Sequence, residues 1–220
     1  MSLVFLSLIA CSRLSVEDGQ KLGPLVTIGD GFVSSFMMTG DDGAVLFDVN
    51  NDKKAKAILA ALEDKGLDAG DVTDIFISHG HGDHVKALHL FPGARVYAME
   101  VERDLIAEES HEGDTLSDAV EDGDILQAGG YDIEVFSVPG HTPGSAVYLV
   151  DGVLVMGDVA TGRKDGTIEG PPKFFSDDPE QNDASVRELG KRLGERGETI
   201  DWLAFSHSGP LEGLDPLLNF

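Results

Sequence analysis

Four short apolar segments of this chain each run into a side chain that can bind a metal ion. Residues 74–78 (DIFIS) lead into His79, residues 133–138 are followed by His141, 153–156 by Asp158, and 202–205 by His207. Each segment is dominated by aliphatic, β-branched or aromatic residues and reads as a strand. Sites in α/β sheets lie in the crevice outside the carboxyl ends of the strands. If the four strands share one sheet edge, two residue types that bind hard and borderline cations converge in one place.

The first of these positions opens the run His79-Gly80-His81-Gly82-Asp83-His84, which holds three of the seven histidines. In an extended segment residues two apart point to the same side, so His79 and His81 can hold one ion. Gly80 and Gly82 remove bulk beside that ion and permit unusual backbone angles. Asp83 and His84 then point differently and can serve a second ion. Imidazole and carboxylate without thiolate suit zinc, manganese or iron. A solvated histidine-rich turn is the bland alternative, and it leaves the later strand-end positions unexplained. His89 and His111 read as ordinary core or surface histidines.

Around these positions the chain reads as one α/β domain. Segments 25–28, 32–38, 44–49, 94–98 and 146–150 also read as strands, and Asp151-Gly152 between two of them is a hairpin signal. Ala55, Ile58, Leu59 and Leu62 form a helical stripe within 52–65, and a helix is expected from about 100 to 109. Asp178-Pro179 reads as an N-cap followed by proline at the first helical position, with Val186, Leu189 and Leu193 continuing at helical spacing. The acidic stretch 108–124 reads as loop. Strands alternating with helices argue for a layered α/β architecture. The domain is expected over residues 24–220, with 12–23 as a polar tether.

Forty acidic against sixteen basic residues give a net charge of −24. Such a surface repels phosphate backbones and argues against a nucleic-acid partner. The single cysteine, Cys11, excludes an internal disulfide and a thiolate metal cage. It ends the apolar run 3–10, and Leu8-Ile9-Ala10-Cys11 resembles the lipobox of a bacterial lipoprotein signal, although no Lys or Arg precedes the run. That resemblance implies a signal over residues 1–11, a lipid anchor on Cys11 and a place in the bacterial cell envelope. The alternative is a plain first segment with an inert thiol on a cytoplasmic protein.

Taken together the motifs resemble the metallo-β-lactamase superfamily. The signature is His79-x-His81-x-Asp83-His84, followed by Gly-His141-Thr-Pro-Gly, Met-Gly-Asp158 and Ser-His207-Ser-Gly-Pro, with Asp48 at an earlier strand end. The resemblance implies an α/β (α+β) fold, a four-layer αββα sandwich of two mixed sheets. It implies two divalent cations, zinc foremost and iron or manganese otherwise. His79, His81 and His141 would hold one, Asp83, His84 and His207 the other, and Asp158 would bridge them. Asp48 would orient the motif from outside, and Thr142 and Ser145 would support it by hydrogen bonds. The implied activity is hydrolysis of a small-molecule ester, thioester or lactone by metal-bound hydroxide, with Asp83 and Asp158 as catalytic carboxylates.

The true β-lactamases of the superfamily lack the bridging aspartate, so Asp158 argues against a β-lactam substrate. Thioesterases of the glyoxalase II kind carry a further helical region for glutathione, which is not expected within residues 208–220. Two competing readings are an iron-dependent persulfide dioxygenase and a non-catalytic metal-binding envelope protein. A nuclease fits the charge least. Residues 32–38 are a candidate flap and 163–178 a candidate lid. Phe36, Phe174 and Phe175 would be their apolar contacts, with ordinary core packing as the alternative.

Overall fold

The computed structural model describes residues 12–111, 113 and 115–220. The apolar run 3–10 and Cys11, with the lipid-anchor reading, lie outside the described residues. Strands β1 (Lys21–Leu22), β2 (Leu25–Asp30), β3 (Val33–Gly40), β4 (Gly43–Phe47), β5 (Val72–Phe76), β6 (Arg95–Met99) and β7 (Asp118–Val120) form one sheet in that order. A second sheet contains β8 (Ile125–Ala128), β9 (Tyr131–Ser137), β10 (Ala146–Val150), β11 (Val153–Gly157), β14 (Trp202–Phe205) and β15 (Leu211–Glu212). Its order is β15-β14-β11-β10-β9-β8. Between β11 and β14 the chain makes a small ribbon of β12 (Thr161–Gly162) and β13 (Ile168–Glu169).

The two sheets pack face to face and helices cover both outer faces, giving the αββα sandwich. Period-two alternation sorts the side chains. Phe36, Met38, Val45 and Phe47 point inward and meet Ile133, Val135, Tyr148 and Val155 of the other sheet. Met37 and Leu46 point outward and are covered by α1 (Lys56–Glu63) through Ile58 and Leu62, with Val85 of α2 (Gly82–Val85) and Ile106 of α3 (Arg103–Ser110) in the same cluster. On the far side α4 (Pro179–Arg196) buries Val186, Leu189 and Leu193 against Val147, Leu154 and Leu203, and α5 (Asp215–Leu218) adds Leu217. Because both faces are covered, β10 and β11 are buried at every position and show as apolar runs without alternation.

Local chemistry accounts for the turns. Asp151 and Gly152 sit at φ 43° and 78°, the positive angles a tight hairpin needs. The Asp178 side chain accepts from the Gln181 amide and caps α4, with Pro179 at its first turn. The first helix starts at Lys56 and not at 52, because Ala55 takes a left-handed conformation.

Two expectations are corrected and one strand is added. Residues 12–23 are not a tether: Arg13 bridges to Arg163, Leu14 bonds Gly162 and Gly209, β1 pairs with β2, and Leu22 is fully buried. A two-residue strand is too short to show periodicity. The loop reading of 108–124 misses β7, and β8 was not expected at all. Both are mostly exposed, so neither carries an apolar stripe. Among the described residues no helix is long and apolar enough to cross a membrane.

Candidate metal centre

The strand-end positions converge, but from two sheets and not from one sheet edge. Asp48 follows β4 and His79 follows β5 in the first sheet. His141 follows β9, Asp158 follows β11 and His207 follows β14 in the second. Strands β9 and β11 are each antiparallel to β10, and β14 is parallel to β11, so all three end on the same side. The crevice therefore lies at one end of the sandwich, between the layers. The backbone at Gly157, φ 53°, brings the end of β11 so near the segment that follows β5 that a Cβ there would sit 2.7 Å from the Ser78 Cβ. This is why glycine precedes Asp158.

The structure brings His79, His81, Asp83, His84, His141, Asp158 and His207 into one cluster. Their ligand atoms group as His79/His81/His141, His79/His84/Asp158 and Asp83/His84/His207, each within 4.8 Å. In the first group His79 Nε2 is 3.0 Å from His81 Nδ1 and 3.2 Å from His141 Nε2, and the last two nitrogens are 3.0 Å apart. Three ring nitrogens facing one another cannot all be paired by protons. Their spacing approaches the edge of about 3.3 Å of a tetrahedron with metal–nitrogen bonds of about 2.0–2.1 Å. In the second region His84 Nε2 and Asp158 Oδ1 are buried without hydrogen-bond partners and face each other at 3.4 Å. Such orphaned groups are costly unless a cation joins them. Asp158 Oδ2 lies 2.9 Å from His207 Nε2 and 3.6 Å from His141 Nε2, so this one carboxylate reaches both regions. Asp83 lies 3.4 Å from His207 and 3.8 Å from His84. The donor set is imidazole and carboxylate, and it fits divalent cations.

Outer hydrogen bonds aim the rings. The Nδ1–H of His84 donates to Asp48 Oδ2 at 2.8 Å, leaving Nε2 toward Asp158. His207 donates its Nδ1–H to the Phe32 carbonyl at 2.8 Å, again freeing Nε2. Ser78, which sequence reasoning missed, donates its hydroxyl to Asp48 and stands 3.0 Å from His79 Nδ1. Ser176, also missed, stands 3.3 Å from His141 Nδ1. Neither serine carries a local signal, since each acts through a neighbour distant in sequence or lies in an unpatterned loop. Asp48 itself is held at φ 60°, a left-handed conformation that Asp tolerates better than most residues. Thr142 and Ser145 hydrogen-bond each other at 2.8 Å and close the turn after His141.

Burial and charge divide the histidines into two kinds. Burial, helped by His84 and His141, drives the His79 ring far below the usual histidine range. Burial likewise lowers His141 to about 4. Both rings are neutral at pH 7 and offer lone pairs. Burial opposes a proton on His207, but Asp158 and Asp83 outweigh it and push the ring up to about 10. His84 is raised for the same reason, by Asp158 and Asp48. Burial opposes ionisation of Asp158, yet His207 and His84 hold its carboxyl well below the usual range.

The expected walls are only partly there. Phe36 is 2% exposed and belongs to the inter-sheet core, so it is not a flap contact. The turn before β3 places Phe32 at the site instead, 63% exposed and stacked on the His207 ring at 5.9 Å. Phe174 and Phe175 are 70% and 60% exposed and pair with each other at 4.1 Å. They are not core, and the next residue is the Ser176 that meets His141. His89 and His111 are exposed and join none of the ligand groups.

Comparison with known proteins gives the family. The profile of the metallo-beta-lactamase superfamily matches residues 28–207. A hydroxyacylglutathione hydrolase of a Synechococcus strain is 37% identical over 141 residues, 58% of this chain and 51% of that protein. Human metallo-beta-lactamase domain-containing protein 1 is 32% identical over 167 residues, 73% of this chain and 59% of that protein. The matched region thus spans about half to three fifths of these relatives. Among solved structures, a metallo-beta-lactamase from Cronobacter sakazakii superposes with a TM-score of 0.67 at 23% identity, covering 86% of this chain and 80% of that one. At that identity the likeness speaks for the fold alone. The family model spans most of the chain, residues 28–207, and the chain belongs to the metallo-beta-lactamase superfamily.

Proposed function

We propose that the chain is a dinuclear metal-dependent hydrolase of a small-molecule ester, thioester or lactone, with zinc as the working metal. The observation that carries the reading is the placement of the Asp158 carboxylate between two groups of metal-binding side chains, His79/His81/His141 and Asp83/His84/His207. Paired divalent cations in such a site make water nucleophilic at neutral pH and polarise a carbonyl oxygen. The chain's own part is to hold and balance. His79, His81 and His141 would bind one cation through their ring nitrogens. Asp83 and Asp158 would offset cation charge, and Asp83, the more exposed of the two, would take up the proton released by the attacking water. Thr142 and Ser145 are buried and bonded to each other, so no hydroxyl of this turn is offered as nucleophile. Phe32, Phe174 and Phe175 would receive the apolar part of a substrate. Relatives named hydroxyacylglutathione hydrolase favour the thioester within this set.

The test is metal analysis of the purified protein, then turnover of thioester, lactone, phosphodiester and β-lactam substrates by wild type and Asp158→Asn. Two equivalents of zinc with thioester or lactone turnover that falls at least about 100-fold in the variant supports the reading. Oxygen uptake with glutathione persulfide by an iron-loaded protein would overturn it. So would absence of any hydrolysis with both metals bound.

A further inference from the structure

Glu102 is the last residue of the short 3-10 turn Glu100–Glu102 that leads into α3. It is 1% exposed, while Glu100 and Val101 beside it face solvent. Its two carboxylate oxygens go to different loops. Oε2 accepts from the Gly80 amide at 2.7 Å, and Gly80 lies between His79 and His81. Oε1 accepts from the Gly144 amide at 2.7 Å, in the turn that follows His141. The first loop leaves the first sheet and the second loop leaves the second. Both oxygens of this buried carboxyl group thus have a backbone amide as partner. Both glycines fit closely against the segment that carries it. A Cβ at Gly80 would lie 2.8 Å from Leu105 Cγ, and one at Gly144 would lie 2.5 Å from Val101 Cγ1 and 2.7 Å from Glu102 Cγ. Three features of unrelated local chemistry — one buried carboxylate and two glycines — thus meet at a single junction between the ligand loops.

We propose that Glu102 is a positioning residue that clamps the His79–His81 loop to the His141 loop and so sets the spacing of the three nitrogens that would share a cation. The inference rests on the dinuclear reading given above. Glu102 reaches no ligand nitrogen in the hydrogen bonds it makes and acts through the backbone. The role needs a group with two acceptors at this reach. Aspartate is one methylene too short to span both amides, and glutamine turns an N–H toward one of them.

The experiment is a cobalt(II) titration of metal-free protein, read by visible absorption and by competition with a chelator. Wild type is expected to bind in two steps. Glu102→Gln is expected to weaken one step by about 10–100-fold and shift its ligand-field bands, while the other step stays within about twofold. Its kcat falls more than its KM changes, and Glu102→Asp does not restore it. Unchanged binding steps and cobalt bands in Glu102→Gln, even with a lowered melting temperature, would overturn the proposal and leave Glu102 a structural residue. If the variants do not fold, amide hydrogen exchange of metal-free wild type decides. Gly80 and Gly144 among the slowly exchanging amides support the clamp, and fast exchange at either one overturns it. Should wild type take up fewer than two cobalt equivalents, the dinuclear reading fails, and the exchange measurement still judges the clamp separately.

Discussion

Single side chains at this site are held by partners far away in sequence, and the consequences can be measured one residue at a time. Asp48 accepts from the Ser78 amide and hydroxyl and from His84, all at 2.8 Å and all buried. Asp48→Ala leaves three donors unpaired. The expected cost is about 1–3 kcal/mol of folding stability in chemical denaturation, with metal affinity falling about 10–100-fold. An unchanged denaturation midpoint would show that water satisfies those donors. The residues that the structure gathers here were legible in the sequence, His79, His141, Asp158 and His207 because each follows an apolar run, and His81, Asp83 and His84 by the spacing of HGHGDH. Asp48 was legible only by resemblance. Ser78, Ser176 and Glu102 were not legible: a serine or glutamate in a chain with forty acidic residues carries no sign of which neighbour it will meet.

Elements divide into those that announce themselves and those that do not. The cap of α4 was written in Asp178-Pro179, and Asp178→Ala should cost about 1 kcal/mol, read from the denaturation midpoint. The loop with Phe174 and Phe175 packs little of either ring away, so replacing both by alanine should change stability by no more than about 0.5 kcal/mol. The same variant is expected to raise KM several-fold for substrates with an apolar acyl group. Lowered stability with unchanged KM would return both rings to a packing role. Strand β6 gives a pH signature. Burial, and then Asp74 beside it, push Tyr97 up to about 12, and its hydroxyl donates to Asp74 at 3.2 Å. A folded-state value above the unfolded one of about 10 means a stabilising contribution that is complete below pH 10 and is lost as pH rises from 10 to about 12. Thermal melts across that window should fall less steeply for Tyr97→Phe than for wild type. Strands β7 and β8 were hidden from periodicity, because short exposed strands have no apolar face to display.

At the scale of the whole molecule the site is the seam between two sheets, so cations bound there would tie the halves together. Removing metal with a chelator should lower the melting temperature. Returning it at about 100 times its dissociation constant should restore about 2.7 kcal/mol for a single site that binds the folded state only. A melting temperature indifferent to metal would mean that the inter-sheet core alone sets stability. Apolar periodicity, the Asp-Gly hairpin, the helix cap and the spacing of HGHGDH are written in neighbouring residues, and these local properties made the layered α/β class and the histidine and aspartate positions readable directly. Tertiary structure alone decided that the strands ending at His79 and His141 lie in different sheets, that residues 12–23 join the fold, that Phe32 and not Phe36 faces the site, and that one buried glutamate spans both ligand loops. Each of those outcomes depends on which distant segments pack against one another, and packing between layers is a property of the folded surface that no local run of residues contains.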